Sequence, residues 1–356
     1  MPKMNEPSRL LPKKGDKPRP AAADARNPAD RKPGPQAGRP LPDATRILTR
    51  HPANPILKIA DHPGIAQLFN PAPVRLGDKI LLLVSVVTFQ GGNGIDSGET
   101  RIAESTDGIH FKLADEPFIR LPVERPPFDQ INRHLIDNRV TKIGDTFYIV
   151  TPVMNDRFDG PSAVLGRTRD FKTYEAMDII SQPRNRGASL FPEKIGGKYY
   201  KIDRPGGGPN SYCTMWISSS PDLIHWGQFR PLLYPGYRFW NANRVGPTPP
   251  IKTEKGWLVI IHGQWGPPGG RQYYIGAILL DLNDPTLIIG KTSSYLLAPQ
   301  MDYEMHGNCD NTVFPCGALA NPETDEFWLY YGGADSCVCL ATGRLSEVVE
   351  ACIREI

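Results

Sequence analysis

Lys79-Ile-Leu-Leu-Leu-Val-Ser-Val-Val87 is an apolar run of strand length behind a Gly77-Asp78 turn, and a second strand-like run ends in Glu104-Ser-Thr-Asp107 ahead of Phe111. A short apolar run bounded by turn residues reads as a buried strand, and the Ser/Thr-x-Asp tetrapeptide reads as the turn that closes its hairpin partner. The unit recurs. Asp145–Val153 (DTFYIVTPV), Gly197–Pro205 (GKYYKIDRP), Gly256–Gln264 (GWLVIIHGQ) and Glu326–Ala334 (EFWLYYGGA) are four further aromatic-rich runs, each behind a Gly or Asp turn. The closing turn returns at Arg167-Thr-Arg-Asp170 before Tyr174 and at Ser219-Ser-Pro-Asp222 before Trp226, with degenerate copies at Leu279–Pro285 and Ala341–Leu345. Asp107, Asp170, Asp222 and Asp281 are spaced by 63, 52 and 59 residues.

Self-similarity at this period, built of strands and turns with almost no amphipathic helix, predicts an all-β fold, a five-bladed β-propeller. Hairpin turns and irregular insertions suit blades better than a sandwich pair or stacked solenoid rungs. Five units fill residues 43–356 as one domain, and only Leu345–Ile356 reads as a helix. If the five apolar runs are the inner strands of their blades, their exits bring Ser85, Pro152, Arg204, His262 and Asp335 to one axial pocket.

The chain has 356 residues and a net charge of +3. Residues 1–42 hold ten prolines, ten basic and four acidic side chains, so this segment carries +6 and the remainder −3. Such a tail cannot bury enough apolar surface to offset its ordering entropy and is expected to be disordered. A mildly acidic body is a poor match for a nucleic-acid binder, which needs a basic face. No stretch has the length of an apolar membrane span, and the N-terminus shows no apolar leader core, which predicts a cytoplasmic location. Six cysteines are too few for a disulfide scaffold of this size. Cys337-x-Cys339 and His306 with Cys309 lack a second pair at metal-ligand spacing, so no metal site is expected. A homo-oligomer is compatible with the sequence.

Nine motifs in order carry a resemblance. They are Phe69-Asn-Pro-Ala72, Ala103-Glu-Ser-Thr-Asp-Gly-Ile-His-Phe111, Ile136-Asp-Asn-Arg-Val-Thr-Lys-Ile143, Asn185-Arg-Gly-Ala-Ser-Leu-Phe-Pro-Glu-Lys194, Trp216-Ile-Ser-Ser-Ser-Pro-Asp-Leu-Ile-His-Trp-Gly227, Pro249-Pro-Ile-Lys-Thr-Glu-Lys-Gly-Trp257, Leu279-Leu-Asp-Leu-Asn-Asp-Pro285, Val313-Phe-Pro-Cys-Gly317 and Tyr330-Tyr-Gly-Gly-Ala-Asp335. Over residues 47–352 the chain resembles glycoside hydrolase family 130, the β-mannoside phosphorylases and their hydrolytic relatives. The resemblance implies a five-bladed propeller and inverting phosphorolysis, in which phosphate displaces the acceptor from a β-mannoside and yields α-mannose 1-phosphate. A β-mannoside oligosaccharide and inorganic phosphate are then the partners, with no cofactor beyond phosphate as co-substrate. An inverting hydrolase needs an acid and a base, whereas phosphate is already a nucleophile and needs cations to hold it in line.

On that resemblance Asp137 is the general acid, passing its proton through the mannosyl 3-hydroxyl. Arg186, Arg204 and Arg244 hold phosphate, Arg244 standing where the family has Lys. Asn70, Arg139, Asp203, His262 and Asp335 are the sugar-side candidates. Without the family, Asp137 reads first as a turn residue paired with Arg139, while Asn70 reads as readily as a strand cap and His262 as a core imidazole. The family's Glu-Asp-Pro-Arg motif appears here as Ile-Asp-Asn-Arg. Asp203 stands where phosphorylases have His, Gly187 replaces Asp, Ser85 replaces Arg, and Ile261 replaces Tyr. Asp203 opens a rival reading, an inverting β-mannosidase in which it positions water, and the altered positions open another, a silent glycan-binding propeller. Trp265, Tyr273 and Tyr237 are candidates for stacking on acceptor sugars, with packing as the commoner use of such rings.

Overall fold

The turn aspartates of the repeat cap their own loops. Asp107 Oδ1 accepts the Ile109 and His110 amides at 2.9 Å each, and Asp222 Oδ1 accepts those of Ile224 and His225 at 3.0 and 2.9 Å. Asp170 takes the Lys172 and Thr173 amides, and Asp281, in the copy that reads as degenerate, takes Asn283 and Asp284. A carboxylate that accepts from the backbone two and three residues on makes a self-contained turn. One residue per unit thus fixes a chain reversal, in each case the one between the third and fourth strands of a blade.

The computed structural model describes residues 44–89, 98–129, 131, 134–154, 160–206, 212–236, 239–266 and 270–353. The expected tail over 1–42 and the candidate Tyr237 lie outside them. Five antiparallel sheets follow one another along the chain. Blade 1 comprises Ile65–Leu76, Lys79–Thr88, Glu99–Ser105 and Lys112–Leu113; blade 2 comprises Arg139–Ile143, Thr146–Val153, Ser162–Thr168 and Glu175–Ile179. Blade 3 comprises Asn185–Leu190, Tyr199–Pro205, Met215–Ser220 and Gly227–Leu233; blade 4 comprises Arg244–Pro247, Trp257–Trp265, Gln272–Leu280 and Ile288–Lys291.

Blade 5 is made from both ends of the propeller. Val313–Pro315, Glu326–Gly333 and Cys337–Arg344 are joined by Thr49–Arg50, with Thr49 paired to Thr342 and Arg50 to Ala341. This explains the degenerate turn motif of the fifth copy, whose outer strand arrives from the opposite end. The closing strand is latched by Arg50, whose Nε and Nη2 each donate to the Glu304 carboxylate at 2.8 Å. Glu304 is fully buried and also accepts the Tyr331 hydroxyl at 2.7 Å. Leu345–Ile353 forms the helix expected there, with Val348, Val349, Ala351 and Cys352 in the core.

The apolar runs lack a polar face because each blade is covered on both sides. Leu82, Val84 and Val86 pack against Tyr330, Val338 and Leu340 of blade 5, while Leu81 and Leu83 pack toward Phe147 and Ile149 of blade 2. One expectation is corrected. The apolar runs are the second strands of their blades, and the strands before them lie innermost, where those of blades 1 and 2, 2 and 3, 3 and 4, and 5 and 1 touch. Antiparallel pairing brings the starts of first strands and the ends of second strands to the same end of the propeller. The convergence of Arg204 and Asp335 therefore survives. Ser85 is completely buried beneath that end, and Pro152 is paired within its sheet opposite Ala163.

Candidate active site

Local backbone irregularities aim the side chains at the axial end. Between Phe69 and Ala72 the register of blade 1 shifts, and between Asn185 and Ala188 that of blade 3 shifts. Asn70 and Arg186 sit in these two irregularities, which turn side chains out of the regular alternation of a strand. Asn70, Asp137 and Asp335 all have left-handed backbone, at φ 46°, 56° and 49°. Short amide and carboxylate side chains are the non-glycine residues that enter this region most readily, and such conformations concentrate at functional sites.

A cavity of about 370 Å³ opens there, lined by Asn70, Asp137, Arg186, Arg204, Arg244 and Asp335. Gln67, Arg271, Tyr273, Asn308, Cys309, Thr312 and Phe314 complete the wall. Asp137 is the buried anion at its base. Its Oδ1 accepts from Asn70 Nδ2 at 2.7 Å, its Oδ2 from Arg186 Nη2 at 3.3 Å, and its amide donates to Ser85 Oγ at 3.0 Å. Burial opposes its ionisation, but the charges of Arg186, Arg139 and His134, with the Asn70 hydrogen bond, outweigh that and hold the carboxyl below its ordinary range. Asp335 behaves oppositely. Burial and then repulsion from Asp137, only partly relieved by Arg186, push it up to about 7.

The departures around Asp137 are accommodated by packing. Ile136 clusters with Phe69 and Val87, and Asn138 is fixed between Thr100 and Thr151 at 2.6 and 2.7 Å. Ser85, where the family has Arg, holds the Asp137 backbone from below.

The cations differ in their surroundings. The Arg186 side chain is 36% exposed. Burial works against its charge, and Asp137 more than restores it. Arg204 is buried; burial, with repulsion from Arg186 and Arg139, lowers it to about 10, against the influence of Cys213. It remains charged at neutral pH. Its Nη1 donates to His262 Nε2 at 3.0 Å, which places the imidazole proton on Nδ1, because guanidinium can only donate. Burial and then the neighbouring Arg204 and Arg139 push His262 well below its ordinary value, so it is neutral. Gly246 makes room for this pair: a Cβ there would lie 2.2 Å from His262 Cε1 and 2.8 Å from Arg204 Cδ. Arg244 begins the adjoining strand and reaches the same cavity.

Three sugar-side candidates do not line the cavity. Arg139 is buried beneath it, donating to the Asp137 carbonyl and lying 5.6 Å from the Phe314 ring. His262 supports Arg204 and packs against Phe314 with 4.4 Å between ring centroids. Asp203 points to the other face of blade 3, where it accepts from Lys201 Nζ at 2.8 Å, Asn185 Nδ2 at 2.7 Å and Ser218 Oγ at 3.3 Å. Tyr273 does line the cavity, whereas Trp265, at 38% exposure, does not. The wall residues missed from sequence, Arg271, Asn308 and Thr312 among them, come from loops and strand ends outside the quoted motifs. Cys337 and Cys339 face each other in the core with 3.7 Å between sulfurs, and no trio of metal-ligating side chains occurs among the described residues. Among those residues no helix is long and apolar enough to cross a membrane.

The axial cavity of this propeller joins four arginines to a buried carboxylate, a strongly cationic site. The family profile described as beta-1,4-mannooligosaccharide phosphorylase matches residues 42–354. A beta-1,2-mannobiose phosphorylase of Listeria innocua is 39% identical over 251 residues, covering 70% of this chain and 67% of that protein. A beta-1,4-mannooligosaccharide phosphorylase of Ruminococcus albus is 32% identical over 312 residues, covering 86% and 91%. The structure of a Listeria innocua beta-1,2-mannobiose phosphorylase bound to beta-1,2-mannobiose superposes with a TM-score of 0.75 at 30% identity, covering 85% of this chain and 98% of that one. The chain belongs to glycoside hydrolase family 130.

Proposed function

We propose that this chain catalyses inverting phosphorolysis of β-mannosides, with Asp137 as the acid and Arg186, Arg204 and Arg244 as the phosphate cradle. The observation that carries the reading is the cluster itself. Three arginines from separate strands converge beside one buried carboxylate, and the fourth, Arg271, stands at the same wall. Arginine forks match phosphate oxygens and hold the nucleophile in line behind the sugar. A phosphate oxygen bonds to the anomeric carbon as the bond from that carbon to the acceptor oxygen breaks. The proton of Asp137 passes to the acceptor oxygen through the mannosyl 3-hydroxyl. Hydrogen phosphate supplies that proton to Asp137 as it binds, so the carboxylate is left ionised, as in the free site, once the products leave.

The electrostatics suit this sequence of events. In the free site Arg186 favours the ionised form of Asp137. Phosphate bound to Arg186 offsets that charge, so burial then favours the protonated acid. Binding of the nucleophile therefore arms the acid. Asn70 and Asp335 face the same space and are assigned to sugar hydroxyls, Asp335 being a hydrogen-bond donor while protonated. Capture of the product as a sugar phosphate suits a cytoplasmic enzyme.

Two carboxyls share the cavity, yet the hydrolytic reading drew on Asp203, which is neutralised by Lys201 on the far side of the sheet. The test is incubation with β-1,4-mannobiose and β-1,2-mannobiose, with and without phosphate. Mannose 1-phosphate is expected only with phosphate; mannose release independent of phosphate would overturn the reading.

A further inference from the structure

Between blade 3 and the segment 179–184, which ends blade 2 and leads into blade 3, lies a hollow of about 710 Å³ that the proposed reaction does not use. Trp216 lies between Met215 and Ile217, both in the core, so strand alternation turns it outward into this hollow. Trp226 is fixed on two sides: its indole N–H donates to the Leu223 carbonyl at 2.8 Å, and the Lys201 ammonium lies 4.9 Å from the ring. Phe229 is 56% exposed at the rim.

The floor is polar but carries no net charge. Lys201 and Asp203, with side chains 1% and 6% exposed, form an ion pair at 2.8 Å, and Asn185 closes onto Asp203 at 2.7 Å. Gln182 and Arg184 place further hydrogen-bonding groups on the wall. A core gap would be filled or dry, and a surface aromatic would stand alone. Here three rings and a compensated polar floor share one concavity within the size range of ligand sites. Aromatic walls accept an apolar ring face, and the polar groups accept its hydroxyl edge.

We propose that this hollow is a second saccharide-binding site, taking a pyranose ring of a neutral oligosaccharide by stacking on Trp216 and Phe229. The choice of mannose as the sugar rests on the function proposed for the axial cavity; the site itself does not. A chain held on blade 3 raises its effective concentration near the axial mouth.

The test uses the full chain carrying Asp137→Asn, titrated calorimetrically with β-1,4-mannohexaose after the axial cavity is filled with mannose 1-phosphate and phosphate. Residual hexaose binding is expected. Adding Trp216→Ala with Phe229→Ala should weaken it roughly tenfold, and Trp216→Phe should retain it. In the otherwise native chain the double alanine variant should leave kcat/KM for mannobiose unchanged, and its thermal unfolding shows that the fold is kept. Complete competition by mannose 1-phosphate, or hexaose affinity equal with and without the two rings, would overturn the site. So would sedimentation showing a dimer that the double variant dissolves, since the rings would then be a subunit contact. If cellohexaose binds on blade 3 in a ring-dependent way while mannobiose is not phosphorolysed, the axial reading fails and the second site stands.

Discussion

Asp203 and Arg204 are consecutive residues of one strand, yet they occupy opposite electrostatic settings. On the outer face, Asp203 is matched by Lys201, Asn185 and Ser218 within one closed network. On the axial face, Arg204 and Arg186 crowd positive charge against each other and the neutral His262. Burying a charge is tolerable when it is paired, and an uncompensated cluster is kept where a ligand completes it. The two faces also share a part: Asn185 donates to Asp203 and accepts the Arg204 amide at 3.1 Å. The compensated face is the mount for one that is compensated only in part, by the pair of Asp137 with Arg186.

The contrast can be broken from either side. Asp137→Asn should have the largest effect, a loss of roughly 10²–10⁴-fold in kcat for phosphorolysis with the unfolding midpoint retained, read by mannose 1-phosphate formation. Substantial residual turnover would remove Asp137 from its role. Arg204→Ala should lower kcat/KM for phosphate by roughly 10²-fold while the mannoside dissociation constant stays close to native; equal losses for both substrates would show a general collapse of the site. On the outer face, Lys201→Met leaves Asp203 buried without its cation and should destabilise the fold by about 3–5 kcal/mol in denaturant titration. An unchanged midpoint would mean that the amide and hydroxyl contacts of Asp203 suffice.

The mildest effect concerns pH. Asp335 ionises at about 7 in the folded chain and near 3.8 in the unfolded one, so the folded state binds the extra proton between these values. Stability from this group is therefore present at low pH and declines as pH rises through that window. Asp335→Asn should remove this dependence and become more stable relative to the native chain from pH 4 to pH 8, measured by urea unfolding. A constant difference across that range would place Asp335 in a more solvated setting.

The blade count was legible because the second strands are buried on both faces and the turn aspartates act locally. The innermost strands were not legible. Arg244–Pro247 and Val313–Pro315 are short, and the blade 1 strand is interrupted at Asn70-Pro71, so periodicity gives them no signal. The closing strand Thr49–Arg50 is two residues long and is recognised only by its partner. At the site, Asp137 and the three arginines emerged from the family motifs and do line the cavity. Asp203 was misplaced because neighbours in a strand face opposite ways, a rule that sets it apart from Arg204 once both are known to lie in one strand. Arg271 and Asn308 had no local pattern to reveal them, since their convergence depends on how blades 4 and 5 meet.

The latch between Arg50 and Glu304 also bears on how the protein is made. Translation delivers Thr49–Arg50 ahead of blades 1 to 4, but its pairing partner Cys337–Arg344 only after them. That strand is thus paired late, and its edge stays open to foreign strands while the four intervening blades are made. Asp335 leaves the ribosome just before that partner, so a nascent chain displays its arginines before its last active-site carboxyl exists. A chain that stops short of Cys337 therefore cannot pair Thr49–Arg50 or close blade 5, whatever it already displays at the axial end.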